Sequence, residues 1–145
     1  RTLELHYLGR NHSDNSLVAL LPDERIAFAV DFASHDRVGY RDLPDYYFPD
    51  FFESLRRLHA LPFDTIVFGH GDTGDKASIE RQIQYYDDLR EAVEGAVRTG
   101  QTEDEAAASI LLADYSTWGG YDDWFALNVR ALYRWAASQA QSQDS

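Results

Sequence analysis

The alternation of apolar and polar residues predicts four short β-strands. Leu3, Leu5 and Tyr7 alternate with polar neighbours, which is the two-residue period of a half-buried strand. The apolar runs SLVALL and IAFAV follow, and the turn residues Pro22–Arg25 between them predict a hairpin. A fourth apolar run, DTIVF, ends at a Gly-His-Gly sequence. The predicted strands cover approximately residues 2–8, 16–21, 26–31 and 64–69.

Apolar residues at helical spacing predict four helices, over approximately residues 50–60, 75–98, 102–112 and 121–137. We expect Asp50 to cap the first helix, with Glu53 completing a capping box. Thr102 and Glu105 have the same spacing at the start of the third helix. This order of elements fits an α/β (α+β) fold in which helices cover one face of a mixed sheet. We therefore predict a single domain over residues 1–145, whose sheet has a second face that needs a cover.

Charge and composition argue against several classes of function. The formal net charge is −12 and the pI is about 4.6, which disfavours a nucleic-acid partner and an anionic membrane surface. The chain has no cysteine, so disulfides, thiolate metal ligands and a cysteine nucleophile are absent. No apolar run approaches the roughly 20 residues of a membrane helix, so we expect a soluble protein, with the cytoplasm favoured. Because the first residue is Arg1, we expect that an upstream segment was removed or that the product is longer.

Three side chains that can bind metal stand at predicted strand ends. His12 precedes the second strand, Asp31 follows the third and His70 follows the fourth. Loops at strand ends often hold catalytic groups and metal ligands on a rigid scaffold. Imidazole nitrogen and carboxylate oxygen are the ligands that Zn(II) or Fe(II) takes where thiolate is missing. The residues alone leave an alternative open, in which a turn histidine, a strand-capping aspartate and a histidine between glycines have structural roles only.

Five segments resemble the second half of the metallo-β-lactamase superfamily: Gly9–Asn15, Leu21–Arg25, Phe28–Asp31, Gly69–Gly71 and Tyr121–Tyr133. In that superfamily the turn histidine binds metal, the strand-end aspartate bridges two metals, and the Gly-His-Gly histidine binds the second metal. The resemblance implies that His12, Asp31 and His70 are metal ligands and that Asp31 belongs to the catalytic centre. It implies zinc as the metal, with iron or manganese as alternatives. One departure is Val30, which replaces the usual glycine before the aspartate.

The superfamily's H-x-H-x-D-H motif does not occur in this chain, whose histidines are His6, His12, His35, His59 and His70. The chain thus looks like the C-terminal half of an αβ/βα sandwich. Such a half carries three ligands, too few for a catalytic metal pair, and leaves the apolar strands Leu17–Leu21 and Ile26–Val30 with an uncovered face. We expect a partner on that face, either the missing N-terminal half or a second copy of the chain.

Two functions are consistent with these expectations. The first is a C-terminal part of a metal-dependent hydrolase, which activates water on a metal pair to cleave an ester, lactone, thioester or lactam-type bond in a small molecule. We expect such a chain to be inactive until an N-terminal half completes it. His35 and Tyr46 are candidate substrate-binding residues, with a surface position and aromatic packing as the simpler explanations. The second function is that of a non-catalytic half-domain, which acts as an oligomerising or interaction module.

Overall fold

A computed structural model describes residues 1–143. In chain order its elements are β1 (Glu4–Tyr7), β2 (Leu17–Leu21), β3 (Ile26–Ala29), α1 (Asp50–Ala60), β4 (Thr65–Phe68), α2 (Lys76–Arg98), α3 (Glu103–Ser109), a 3-10 helix (Ala113–Tyr115) and α4 (Tyr121–Gln143). The chain forms two compact units. Unit 1 contains Arg1–Asp36 and Asp45–Gln84, and unit 2 contains Arg37–Pro44 together with the described chain from Tyr85 onward. That the whole chain is one domain stays a prediction.

All four strands lie in unit 1, where they form one mixed sheet in the order β1-β2-β3-β4. The first three strands are antiparallel neighbours, and the hairpin predicted around Pro22–Arg25 joins β2 to β3. β3 and β4 are parallel, and their register pairs Ala29 with Phe68. The helix α1 lies between β3 and β4 in the sequence, as a parallel pair requires a crossover connection. The predicted mixed α+β fold, with helices covering one face of the sheet, is confirmed.

The two faces of the sheet differ sharply in exposure. One face is almost fully buried and contributes to the core of unit 1: Val18, Leu20, Ala27, Ala29, Ile66 and Phe68. The buried face of α1, which contains Phe51, Leu55 and Leu58, belongs to the same core. The opposite face exposes large apolar side chains, among them Leu5 at 63%, Leu17 at 50% and Phe28 at 37%. We call this second surface the open face; it also includes Tyr7 and Val30.

The start of α1 differs from the predicted capping box. Asp50 is the first helical residue, the N-cap is Pro49, and no side chain caps the helix. The Asp50 carboxylate instead accepts a hydrogen bond of 2.6 Å from Arg10 Nε. The prediction that Asp50 and Glu53 form a capping box is therefore wrong, because Arg10, in the loop before β2, binds the Asp50 carboxylate.

In unit 2, α3 begins with the predicted capping box. Thr102 accepts from the backbone N–H of Glu105, and the Glu105 carboxylate accepts from the backbone N–H of Thr102. Two helix ends differ from the prediction: α3 stops at Ser109, because Ile110 is already extended, and α4 continues to Gln143. The apolar period of α4 ends near Ala136, but the alanines and glutamines that follow are good helix formers. Within residues 1–143, no helix combines the length and apolarity that crossing a lipid bilayer requires.

Candidate metal centre

Asp31 and His70 are brought to the same sheet edge by the register of β3 and β4. Asp31 stands two residues beyond Ala29, and His70 stands two residues beyond Phe68, its register partner. Because the two strands are parallel, their carboxyl ends meet at one edge, and the two side chains can approach each other. β2 is antiparallel to β3, so the loop that carries His12, just before β2, leads into that same edge.

Asp31 and His70 are in direct contact. His70 Nε2 lies 3.1 Å from Asp31 Oδ1, so the imidazole N–H can donate to the carboxylate. Both side chains are open to solvent. Two ligands of one tetrahedral zinc ion lie about 3.3 Å apart when each is about 2.0–2.1 Å from the metal. The spacing of this carboxylate oxygen and this imidazole nitrogen therefore matches that of two ligands on a common ion.

The backbone next to this pair is unusually tight. Asp31 has a φ of 71°, in the left-handed region, where aspartate is among the few residues that occur with any frequency. Gly69 lies beside Val30, and a Cβ at Gly69 would be only 2.5 Å from Val30 Cγ1. The glycine before His70 thus makes room for the valine before Asp31.

His12 is held by the residue that precedes it. Asn11 is buried, and its Oδ1 accepts hydrogen bonds from the backbone N–H groups of His12, at 2.7 Å, and Ser13, at 3.4 Å. Asn11 Nδ2 donates to Ser54 Oγ of α1 at 3.0 Å. The half-buried His12 ring meets the ring of Tyr46 edge-on, with 5.6 Å between centroids.

Tyr46 lies between His12 and Asp31. Its hydroxyl lies 3.4 Å from the backbone carbonyl oxygen of Asp31, to which it can donate. Burial, and to a lesser extent the Asp31 carboxylate, raises the pKa of Tyr46 above its usual range. The phenol therefore stays protonated at neutral pH and acts as a donor toward the Asp31 loop.

His35 makes a different set of contacts. Its Nδ1 lies 2.8 Å from Ser78 Oγ near the start of α2, and its Nε2 lies 3.6 Å from the carboxylate of Asp36. Ser78 is itself buried and bonded to Asp75, which precedes the helix. These contacts connect the loop after β3 to α2. A role for His35 or Tyr46 in binding substrate stays a prediction.

The described residues offer part of a metal site. Imidazole and carboxylate donors suit zinc or iron, and the Asp31–His70 spacing fits two ligands of one ion. Within residues 1–143, however, no three or more histidine, cysteine, aspartate or glutamate side chains converge closely enough to hold a metal ion. Tyr46 contacts both sides of this arrangement, because its ring meets the His12 ring and its hydroxyl can donate to the backbone carbonyl oxygen of Asp31.

Sequence reasoning missed Asn11 and Ser54. A signal for Ser54 exists, because it is a polar residue among the apolar positions Phe51, Leu55 and Leu58 of the buried helix face. Buried polar groups in native proteins almost always have a hydrogen-bond partner. The partner itself, 43 positions away at Asn11, could not be identified from the sequence.

Comparison with known proteins gives a structural likeness only. No family model matches the sequence, and no curated protein matches it. The solved structure of VMB-1 is 23% identical, with a TM-score of 0.51, and the match covers 57% of this chain and 39% of that chain. A metallo-β-lactamase from Erythrobacter litoralis is 25% identical, with a TM-score of 0.51, and the match covers 57% of this chain and 37% of that chain.

The match thus spans less than half the length of either relative. Over the matched part, this chain has a metallo-β-lactamase-like fold.

Proposed function

We propose that this chain is a C-terminal part of a metal-dependent hydrolase, with zinc as the metal. The observation that carries the proposal is the contact of His70 Nε2 with Asp31 Oδ1 at 3.1 Å, at one edge of a metallo-β-lactamase-like sheet. His70 and Asp31 would each donate one atom to the metal, and His12 would supply a third. A bound metal pair would supply an activated water molecule at neutral pH. The substrate is a small molecule with an ester, lactone, thioester or lactam-type bond.

The ligands that are missing must come from outside residues 1–143. The matched relatives are more than twice as long as the segment they share with this chain, so the remainder of such a chain is the natural source. We propose that this remainder, the N-terminal half of the sandwich, also covers the open face. One partner would then supply both the missing ligands and the missing layer.

Native mass spectrometry of the purified protein, with and without added zinc, tests the proposal. We expect a complex that contains additional chain or a partner and close to two metal ions. His70→Ala should lower zinc occupancy. The control is His59→Ala, because His59 is a half-buried histidine of α1 that pairs with Glu80 of α2, away from the candidate ligands. Equal zinc occupancy in the two variants would contradict the proposal.

A second function, that of a non-catalytic interaction module, is favoured by the open face. Leu5, Leu17 and Val30 are each at least half exposed on this surface, whereas monomeric proteins rarely expose large contiguous apolar patches. The partner on the open face would be the same N-terminal half, bound without forming a catalytic metal centre. A partner complex without metal would support this function over the first, and an assembly of identical 145-residue chains would replace the proposed occupant with a second copy.

A further inference from the structure

The turn that carries His12 is fixed by a short stretch of chain before and within α1. The backbone carbonyl of Asn11 accepts from the backbone N–H of Tyr47 at 2.9 Å. The Asn11 amide donates to Ser54 Oγ at 3.0 Å, and the Tyr46 ring meets the His12 ring. Three independent contacts therefore connect this turn to one segment, residues 46–54.

Asn11 occupies the centre of this arrangement. Asn11 is 1% exposed and Ser54 is 0% exposed, so neither can exchange its partner for water without opening the structure. The same amide group uses its oxygen to bind the two backbone N–H groups that flank the His12 side chain. An asparagine at this position can thus set the turn and anchor it to a rigid helix at once.

The other two candidate ligands need no such anchor. Asp31 and His70 each stand two residues beyond the end of one of two hydrogen-bonded strands, so the register of the sheet sets their separation. His12 lies in an irregular loop, five residues before β2 begins. Its position relative to the pair therefore depends on side-chain contacts rather than on the sheet.

We propose that Asn11, anchored on Ser54, is the positioning residue that holds His12 toward the Asp31–His70 edge. This inference rests on the proposed function for the role of His12 as a ligand. The positioning itself is a property of the protein without metal, and it can be measured separately.

The first measurement is nuclear magnetic resonance of the metal-free protein. We expect a nuclear Overhauser effect between the rings of His12 and Tyr46, because their centroids are 5.6 Å apart. In Asn11→Ala this signal should be lost while the protein stays folded. Ser54→Ala, which leaves both backbone bonds to Asn11 Oδ1 in place, should weaken the signal. A full signal in Asn11→Ala would overturn the proposal.

A matched control comes from the other buried asparagine that anchors a loop. Asn128 is fully buried and bonds to the backbone of Gly39 and Arg41 within unit 2. Asn128→Ala should lower the melting temperature without changing the His12–Tyr46 signal. The same loss of signal in Asn128→Ala would assign the effect to general destabilisation and overturn the proposal.

The second measurement is zinc titration of the folded variants. Loss of an outer partner of a metal ligand typically lowers metal affinity about 10–100-fold, so Asn11→Ala should approach the weaker affinity of His12→Ala. Asn11→Asp keeps an acceptor for the two backbone N–H groups and should restore part of the affinity. If His12→Ala binds zinc as well as the unmodified protein, His12 is not a ligand. That result would contradict the ligand role that the proposed function gives to His12. It would leave standing the positioning of the His12 ring by Asn11, which the resonance measurement tests separately.

Discussion

Gly69 shows how one missing side chain sets the geometry of the candidate site. Gly69 and Val30 are neighbours that each stand one residue beyond the end of a parallel strand, and Gly69 directly precedes His70. A methyl group at Gly69 would contact Val30 Cγ1 at 2.5 Å and the Val30 Cβ at 3.3 Å. Because Val30 directly precedes Asp31, any displacement there is passed to both members of the Asp31–His70 pair.

We predict that Gly69→Ala destabilises the protein by about 1–3 kcal/mol, the usual cost of overpacking. It should also lower zinc binding, and a second change, Val30→Ala, should restore part of both. The measurements are chemical denaturation and zinc titration. The control is Gly95→Ala in the interior of α2, where the added methyl meets nothing closer than 3.7 Å. That change should stabilise by about 0.5–1 kcal/mol, and a loss of stability there would contradict the argument.

The approach of Asp31 to His70 is the part of the site that could be predicted from the sequence. Asp31 and His70 both follow apolar strand runs, and parallel pairing of those runs is enough to bring them together. The Asn11–Ser54 bond could not be predicted, because it joins a loop to a helix across 43 positions and depends on the packing of both. The close approach of Val30 to Gly69 likewise could not be predicted from the sequence, because it depends on the register of β3 and β4.

At the scale of elements, α3 and α4 are joined by a network of charges within unit 2. The Glu103 carboxylate accepts from Arg134 Nη2 at 2.8 Å and from Arg130 Nη1 at 3.3 Å. The hydrogen bond from Arg134, and then that from Arg130, lowers the pKa of Glu103 below its ordinary value. A carboxyl group with a lowered pKa in the folded state stabilises the protein above its unfolded pKa and loses that effect as the pH falls through the folded value.

We predict that Glu103→Gln lowers the unfolding midpoint at pH 7. The difference from the unmodified protein should start to shrink as the pH falls below about 4.3, the ordinary value for glutamate, and should vanish once the pH is below the lowered folded pKa. Unfolding curves measured across this pH range test the prediction. Glu91→Gln, an exposed change on α2, controls for the removal of one negative charge from a chain of net charge −12. A Glu103→Gln difference that persists at low pH would show that the network does not act through the ionised carboxylate.

Helix boundaries were predictable where local chemistry decides them. The Thr102–Glu105 capping box is a local pattern and forms as expected. The same pattern at Asp50 and Glu53 fails, because Arg10, 40 positions away, bonds to the Asp50 carboxylate. The end of α4 was placed too early because apolar periodicity stops before helix propensity does.

At the scale of the whole molecule, the open face is the dominant feature of the exposed surface of unit 1. Leu5, Leu17 and Phe28 lie on one side of the sheet, and their side chains are between 37% and 63% exposed. The opposite side of β2 and β3 is nearly fully buried. The sequence alone predicted that this sheet needs a second cover, because the runs Leu17–Leu21 and Ile26–Val30 are apolar at successive positions and so place apolar side chains on both faces.

We predict that Leu5→Glu and Leu17→Glu reduce the binding of a dye that is specific for apolar surface and reduce any self-association. Stability should change by no more than about 0.5 kcal/mol, as for other surface substitutions. Dye fluorescence and sedimentation velocity are the measurements. Leu111→Glu is the control, because Leu111 is 74% exposed but lies outside the sheet. A reduction of the same size in Leu111→Glu would contradict a special role for the open face.

Of the four strands, β1 alone has no buried residue, so it loses the least buried surface when it separates from the sheet. All four of its residues are exposed or half-buried, including Glu4 and His6 on the side that the other strands bury. A strand without a buried face has a weakly specified register, and such segments are the first to open in native proteins. A partner seated on Leu5 and Tyr7 would give β1 the buried face that it lacks. The rate at which the backbone amide protons of β1 exchange with solvent should therefore show whether a partner covers the open face.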